Sequence, residues 1–325
     1  MTESVTGSAD FSAGTMVDDD QERSVLERTL EAEGLGTDLA EKPESIGKQA
    51  RRAFFTNKLA LIGIVLLVFM VVLAIVGPSL RPYGFEERGV GPRLLGPTRD
   101  HWFGTDNIGR DLFVRATRGA RTSLLIAAIV AILSVAFGAV LGAIAGYFGR
   151  HIDGVISFFT NLILTIPFYA ILLVFGVKFG AEPVSISIII ALLVWTRATR
   201  IVRAQFLALS QQEFVQAAKA AGATGRRIIF RHVLPHSVGP IVVEFTLIAG
   251  TAIILESTLS FLGLGILPPE TSLGALVAQN KGQFTATPSA VLFPGAMITV
   301  IILSLNFIGD GLRDAFDPQA QTRQH

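Results

Sequence analysis

Residues 216–235 read "QAAKAAGATGRRIIFRHVLP" and lie between two stretches apolar enough to cross a bilayer. The segment is basic, and its order is helix, glycine stop, second helix, proline. Residues 213–221, "EFVQAAKAA", favour a helix whose alanines leave a flat, small-residue surface. Gly222 suits the position just past a helix end, where a glycine adopts positive φ at little cost. Thr224 is placed to cap the next helix, "GRRIIFRHV", which Pro235 is expected to close. Such a thin first helix suits a groove on another surface. A hairpin packed on its own spans has the same spacing, so residues alone leave both readings open.

The rest of the chain says where this segment sits. Half of the 325 residues are apolar, mean hydropathy is +0.55 and 16% are charged. The apolar residues are blocked into long runs rather than spread at helix or strand period, which points to membrane helices. Lone apolar strands would leave backbone groups unpaired in lipid, so the expected class is all-α with about six spans. Charge is uneven: residues 1–41 hold eleven Asp/Glu against two Arg, a net of −9, which leaves +10 for everything after them. With no cysteine, disulfides, thiolate metal ligands and thiol catalysis are excluded. The acidic start is unlike a signal peptide.

Four regions follow from the pattern. Residues 1–47 read as an acidic, mostly disordered tail, with Ser24 and Glu27 as a capping pair for a short helix that Gly34 stops. Residues 48–121 contain the first span, 59–77, and a loop. Residues 122–318 form the transmembrane core, with the opening segment at its centre over 211–237, and 319–325 are a short tail. The core's spans are expected near 122–148, 154–177, 183–205, 239–262 and 288–309. The 183–205 span is charge-free only to Thr196, and its Arg197, Arg200 and Arg203 are expected to snorkel toward the interface beside Trp195. Residues 106–121, with Leu112, Phe113, Ala116 and Ala120 on one side, read as a strut along the outer interface.

Several features inside the spans are candidates for packing or transport. Gly138, Gly142 and Gly146 recur at four-residue spacing, with Ser134 one step before, and form a face for close helix contact within this chain or with a sister subunit. Asn161 and Thr165 share a helix face, and Pro167 frees a carbonyl; they line a polar path or satisfy a kink. Glu256 falls near a span end beside Ser257, Thr258 and Ser260, and is read as a solvated or interface-facing carboxylate, with a place in the translocation path as the alternative. His232 and His236 are four apart, but Pro235 is expected to break the helix that would align them, so no metal site is drawn there. No histidine lies inside a span to activate a hydroxyl, which argues against an intramembrane protease.

The opening stretch also resembles a known motif. Gln216-Ala217-Ala218, three residues, Gly222, nine residues, His232, one residue and Leu234-Pro235 is similar to the EAA loop of ATP-binding-cassette (ABC) importer permeases. Gln216 stands where the motif has an acid, and His232 where it has an aliphatic; Glu213, one turn earlier, offers a replacement charge. "RRAFFTNKLALIGIVLL" (51–67), "HWFGTDNIGRDLFVRATRGARTSLLIA" (101–127), "ESTLSFLGLGILPPETSLGALVA" (256–278) and "NFIGDGLRDAFDP" (306–318) resemble the second-subunit branch of the dipeptide/oligopeptide and nickel permeases. The likeness covers roughly residues 48–318.

The resemblance implies a multi-pass subunit of the bacterial cytoplasmic membrane with both termini in the cytosol. It implies a translocation path shared with a second, homologous permease. One or two cytosolic ATPase subunits would seat Glu213, Phe214, Gln216, Ala217, Ala218, Gly222 and Thr224, and an extracytoplasmic substrate-binding protein would deliver peptide. No nucleic acid is expected. The sequence lacks G-x-x-x-x-G-K-[ST], so no cofactor is expected on this chain, ATP and Mg belong to the partner ATPase, and the chain itself is not an enzyme. A nickel or other small-solute importer shares these motifs. An ion-coupled secondary transporter would want paired inverted repeats, and no clear internal repeat is found.

Overall fold

The computed structural model describes residues 46–179 and 182–316. The Ser24–Glu27 pair, the Gly34 stop and the last residues of the chain lie outside them. The described residues are helical throughout apart from loops and one isolated bridge between Thr105 and Asp111, in keeping with the all-α class.

Helix α1 (Ile46–Thr56) leads into α2 (Lys58–Val76), the first span. Asn57 starts α2 by accepting from the backbone N–H of Leu59 and Ala60, at 3.0 and 3.2 Å. Val65, Phe69, Val72 and Ile75 remain exposed on α2, a surface suited to lipid. Its inner side meets the last span, where Gly63 lies so close that a Cβ would come 2.8 Å from the Ser304 carbonyl oxygen.

Helix α3 (Leu112–Phe148) is one continuous rod of 37 residues, about 55 Å at 1.5 Å per residue. Residues 112–121, read above as a separate strut, are its first turns. The reason is the cap: Asp111 accepts from Val114 N at 3.0 Å, and nothing interrupts the helix before Gly149. The side holding Leu112, Phe113, Ala116 and Ala120 is buried. Arg115 is buried as well, and it ties the loop back to the bundle through Glu86 at 2.9 Å and Gln279 at 3.2 Å.

The third span differs most from expectation. It is two helices, α4 (Arg150–Thr165) and α5 (Phe168–Phe179), meeting at a bend of 82°. Ile166 is extended at φ −78° and ψ 133°, as the residue before a proline prefers, and Pro167 starts the new helix. Helix α6 (Pro183–Ser210) follows and runs parallel to α3.

Contact with the glycine face shows that direction. Ser134 Oγ donates to Ala191 O at 3.3 Å. A Cβ on Gly138 would lie 2.8 Å from Trp195 O, one on Gly142 2.7 Å from Thr199 O, and one on Gly146 2.7 Å from Arg203 O. Both sequences rise together along the seam. Because α3 and α6 are parallel, the chain must recross between them, and the bent α4–α5 pair is that crossing. Counted with the unbroken spans, it brings the described residues to six: α2, α3, α4–α5, α6, the span ending at Phe261, and α11 (Ser289–Phe316).

After α6 come the short α7 (Glu213–Ala220), α8 (Gly225–Ile228), a π turn (Ile229–Val233) and α9 (Leu234–Phe261). Pro235 does not close a helix. It sits in the first turn of α9, where no N–H is required, and the π turn before it keeps the rod continuous from Gly225 to Phe261 through a bond from Leu234 N to Ile229 O. Helix α10 (Leu273–Asn280) packs between α9 and α11.

The seam makes a clear prediction. Gly142→Leu has no room and is expected to cost about 1–3 kcal/mol through overpacking or helix separation. Val140→Leu, at a side chain 57% exposed, should change stability by no more than about 0.5 kcal/mol. Thermal unfolding of the detergent-solubilised chain checks this; equal shifts would mean the close approach is not needed.

Candidate functional site

The opening segment forms one end of the bundle. Glu213 supplies a negative charge to the first turn of α7, and Lys219 a positive one to its last, each matched to the helix dipole. The helix stops through a complete Schellman arrangement: Ala223 N donates to Ala218 O and Gly222 N to Lys219 O, both at 3.0 Å, with Gly222 at φ +77°. Thr224 then caps α8 by accepting from Arg227 N at 3.4 Å.

The two faces of α7 are unlike. Val215 is fully buried among Phe206, Ile228 and Val233, and Ala218 packs against that same cluster. Glu213, Phe214, Gln216, Ala217, Ala220 and Ala221 are exposed. Ala218 therefore belongs to the inner face, not to the thin outer one where the sequence reading placed it, because it follows Val215 by three residues on the same side of the helix. The outward small-residue surface is Ala217, Ala220 and Ala221.

Three contacts sequence reasoning missed bind α7 to the spans. Phe214 stacks on His236 of α9 with ring centroids 5.0 Å apart. Lys219 lies 6.0 Å from the ring centre of Tyr147, near the end of α3. Gln216 Nε2 donates to Ser210 O at 2.9 Å. His232 and His236 share one uninterrupted stretch, and His236 Nδ1 lies 2.7 Å from His232 O, which makes that nitrogen the donor. Among the described residues no group of three or more His, Cys, Asp or Glu gathers as a metal site.

A second polar region lines α6. Arg197 Nε lies 2.7 Å from Glu244 Oε1 of α9, an ion contact rather than an aligned hydrogen bond. Arg200 Nη2 donates to Asn161 Oδ1 of α4 at 2.8 Å. Arg203 pairs with Asp153 at the start of α4 through both Nε and Nη2. The arginines are thus held by partners, Arg203 at the start of α4. Their spacing of three was the available signal, since it puts them along one side of the helix. Thr165 hydrogen-bonds to Leu162 O at 2.7 Å, within its own last turn, and stays exposed beside Pro167.

Glu256 is not at an interface. It is fully buried, accepting from Ser260 Oγ at 2.7 Å and Ser272 Oγ at 2.6 Å. Ser272 also caps α10 by accepting from Ala275 N at 3.0 Å. The loop 262–272 folds back over the end of α9 and brings Ser272 onto the carboxylate, a long-range contact invisible in local spacing. Glu256 consequently acts as a clasp between α9 and α10.

Comparison with known proteins gives two family models. "Binding-protein-dependent transport system inner membrane component" matches residues 138–322, and "N-terminal TM domain of oligopeptide transport permease C" matches residues 45–97. The dipeptide transport system permease protein DppC of Alkalihalophilus pseudofirmus is 38% identical over 275 residues, 85% of this chain and 90% of that one. The oligopeptide transport system permease protein OppC of Haemophilus influenzae is 38% identical over 277 residues, 85% and 89% of the two chains. OppC of Bacillus subtilis is 34% identical over 281 residues, 86% and 92%.

The clasp can be tested by itself. Glu256→Ala leaves two buried hydroxyls without their acceptor, at about 1–3 kcal/mol each, whereas Glu256→Gln keeps a carbonyl to receive them. Thermal unfolding should fall further for the alanine variant; the same fall for both would show that the hydroxyl contacts contribute nothing.

Proposed function

The chain belongs to the family of binding-protein-dependent transport system inner membrane components, and on that premise we propose that it is a permease subunit of an ABC importer for di- or oligopeptides. It forms half of a translocation path with a second, homologous permease. ATP and Mg bind one or two separate ATPase subunits, and an extracytoplasmic protein brings the peptide. The end of the bundle bearing α7 faces the cytosol, with both termini on that side.

The observation that carries this reading is the build of α7. It is a short helix on the surface of the bundle, thin on its outer side and anchored on its inner side by Val215. A connector needs no such asymmetry. A helix that seats in a partner's cleft does, and the small outer face admits close approach. The stack of Phe214 on His236 passes motion of α7 to α9, which is continuous with α8 through the π turn. Gln216, in place of the motif's acid, is bonded to its own chain, so Glu213 and Phe214 remain as the polar and aromatic contacts for the ATPase. Gly222 and Thr224 act indirectly, by ending one helix and starting the next.

Two experiments test this. Ala217→Trp should block seating: the chain stays in the membrane, but copurification with the ATPase and peptide uptake fall by about tenfold or more, while Gln216→Glu leaves both intact. Gly222→Val, which places a β-branched residue at positive φ, should reduce uptake at normal expression. Normal uptake by both disruptive variants would reduce the segment to a connector. For topology, single cysteines replacing the exposed Arg88 and Arg226 in this cysteine-free chain should react with an impermeant thiol reagent from opposite sides. Reaction of both from outside would refute the cytosolic placement of α7.

A further inference from the structure

Arg200 is the one arginine of its row whose partner carries no charge. Arg197 faces Glu244 and Arg203 faces Asp153, whereas Arg200 bonds to the amide oxygen of Asn161. Among the described residues no carboxylate neutralises it. Both Arg200 and Asn161 are exposed on this chain.

Its direction matters more than its exposure. An arginine near a span end normally snorkels toward the nearer interface. Asp153, bonded to Arg203, marks that end of α4. Asn161 lies eight residues further along α4, about 12 Å along its axis at 1.5 Å per residue, yet Arg200 is only one turn from Arg203. The Arg200 side chain therefore reaches along α4, away from the Asp153 end, and is held there by Asn161. One turn beyond Asn161, α4 ends at the 82° bend, where helical bonding stops at Thr165.

Lipid does not explain an exposed guanidinium here, although the exposed Phe158 and Leu164 that flank Asn161 on α4 suit hydrocarbon. The apolar exposed side chains of α6, Val184, Ile188 and Leu192, lie about 80–160° around the helix from Arg200 at 3.6 residues per turn. That is the side compatible with hydrocarbon; the Arg200 side is another. An uncompensated guanidinium on a spanning helix belongs in a water-filled cavity or against a counter-charge. Given the peptide-import reading on which this rests, a counter-charge that comes and goes is available: every linear peptide with a free end carries a carboxylate.

We propose that Arg200, oriented by Asn161, is the cationic contact in the translocation path that receives the carboxylate end of the passing peptide. A guanidinium offers a planar fork of N–H donors to a carboxylate, and one donor spent on Asn161 leaves others for the substrate. The contact is reversible because it is made in water and with a single cation, so that the peptide can leave as well as enter.

The test uses the whole importer in vesicles, with this chain, its sister permease, the ATPases and the delivery protein. Asn161→Cys in the cysteine-free chain should react with water-soluble thiosulfonates, and faster with an anionic than with a cationic one of similar size. Adding Arg200→Gln should abolish that preference. Uptake of a labelled tripeptide with a free carboxylate should drop about tenfold or more in Arg200→Gln and stay within about threefold of normal in Arg200→Lys, which keeps the charge. Both variants should still copurify with the sister permease. Normal uptake by Arg200→Gln overturns the proposal, and so does an Asn161→Cys thiol that is unreactive or indifferent to reagent charge. Loss of the sister permease on Arg200→Gln also overturns it, by making the guanidinium a tie between subunits. An unmodified importer that carries no tripeptide would instead refute the peptide reading itself.

Discussion

Everything functional in this chain is placed by the close approach of α3 and α6. Hydrocarbon gives two membrane helices no hydrophobic reason to associate, so contact must come from packing and backbone proximity. Ser134, Gly138, Gly142 and Gly146 supply it by letting the α6 backbone lie against the α3 surface over more than three turns, with Phe137 closing on Trp195 at 5.1 Å. Any side chain on that face would meet a carbonyl oxygen or a Cβ. The seam therefore sets the rotation of α6 as well as its position, and rotation decides where three arginines point.

From that follows the layout of charge. With α6 locked by its glycine-facing side, Arg197 falls toward α9 and Arg200 and Arg203 toward α4. The bent third span is then not an irregularity beside the core but the wall that gives Arg200 and Arg203 their partners. Its break at Ile166–Pro167 arises locally, since the residue before a proline leaves the helical region. The consequence is long-range: a straight helix would carry the chain on past the face that α6 presents.

Much of this was legible in sequence, for physical reasons that differ by feature. The spans, the glycine face and the positive φ of Gly222 are properties of runs and spacings, so local reading reaches them. What escaped depends on loops that bring distant residues together. Glu256 looks like an interfacial carboxylate until residues 262–272 fold Ser272 onto it. Ala218 looks like part of a small outer face until Val215, three positions earlier, turns that side inward. Pro235 looks like a stop because proline in a helix interior removes a bond. Here it falls in a first turn, behind a π turn that shifts the bonding register by one residue.

That last difference changes how motion can travel. Were Pro235 a break, α7 and α8 would hang from the fifth span by a hinge, and displacement at one end would be lost in bending. Helical structure instead runs on from Gly225 to Phe261, with Pro240 inside α9. Stacking of Phe214 on His236 adds a second attachment within the first turn of α9, and two attachments resist rotation where one does not. The chain turns at Gly222 and Ala223, between α7 and α8. Force applied to α7 thus enters α9 both through the aromatic stack and through the α8 turn. Glu256 clasps the far end of α9 to α10.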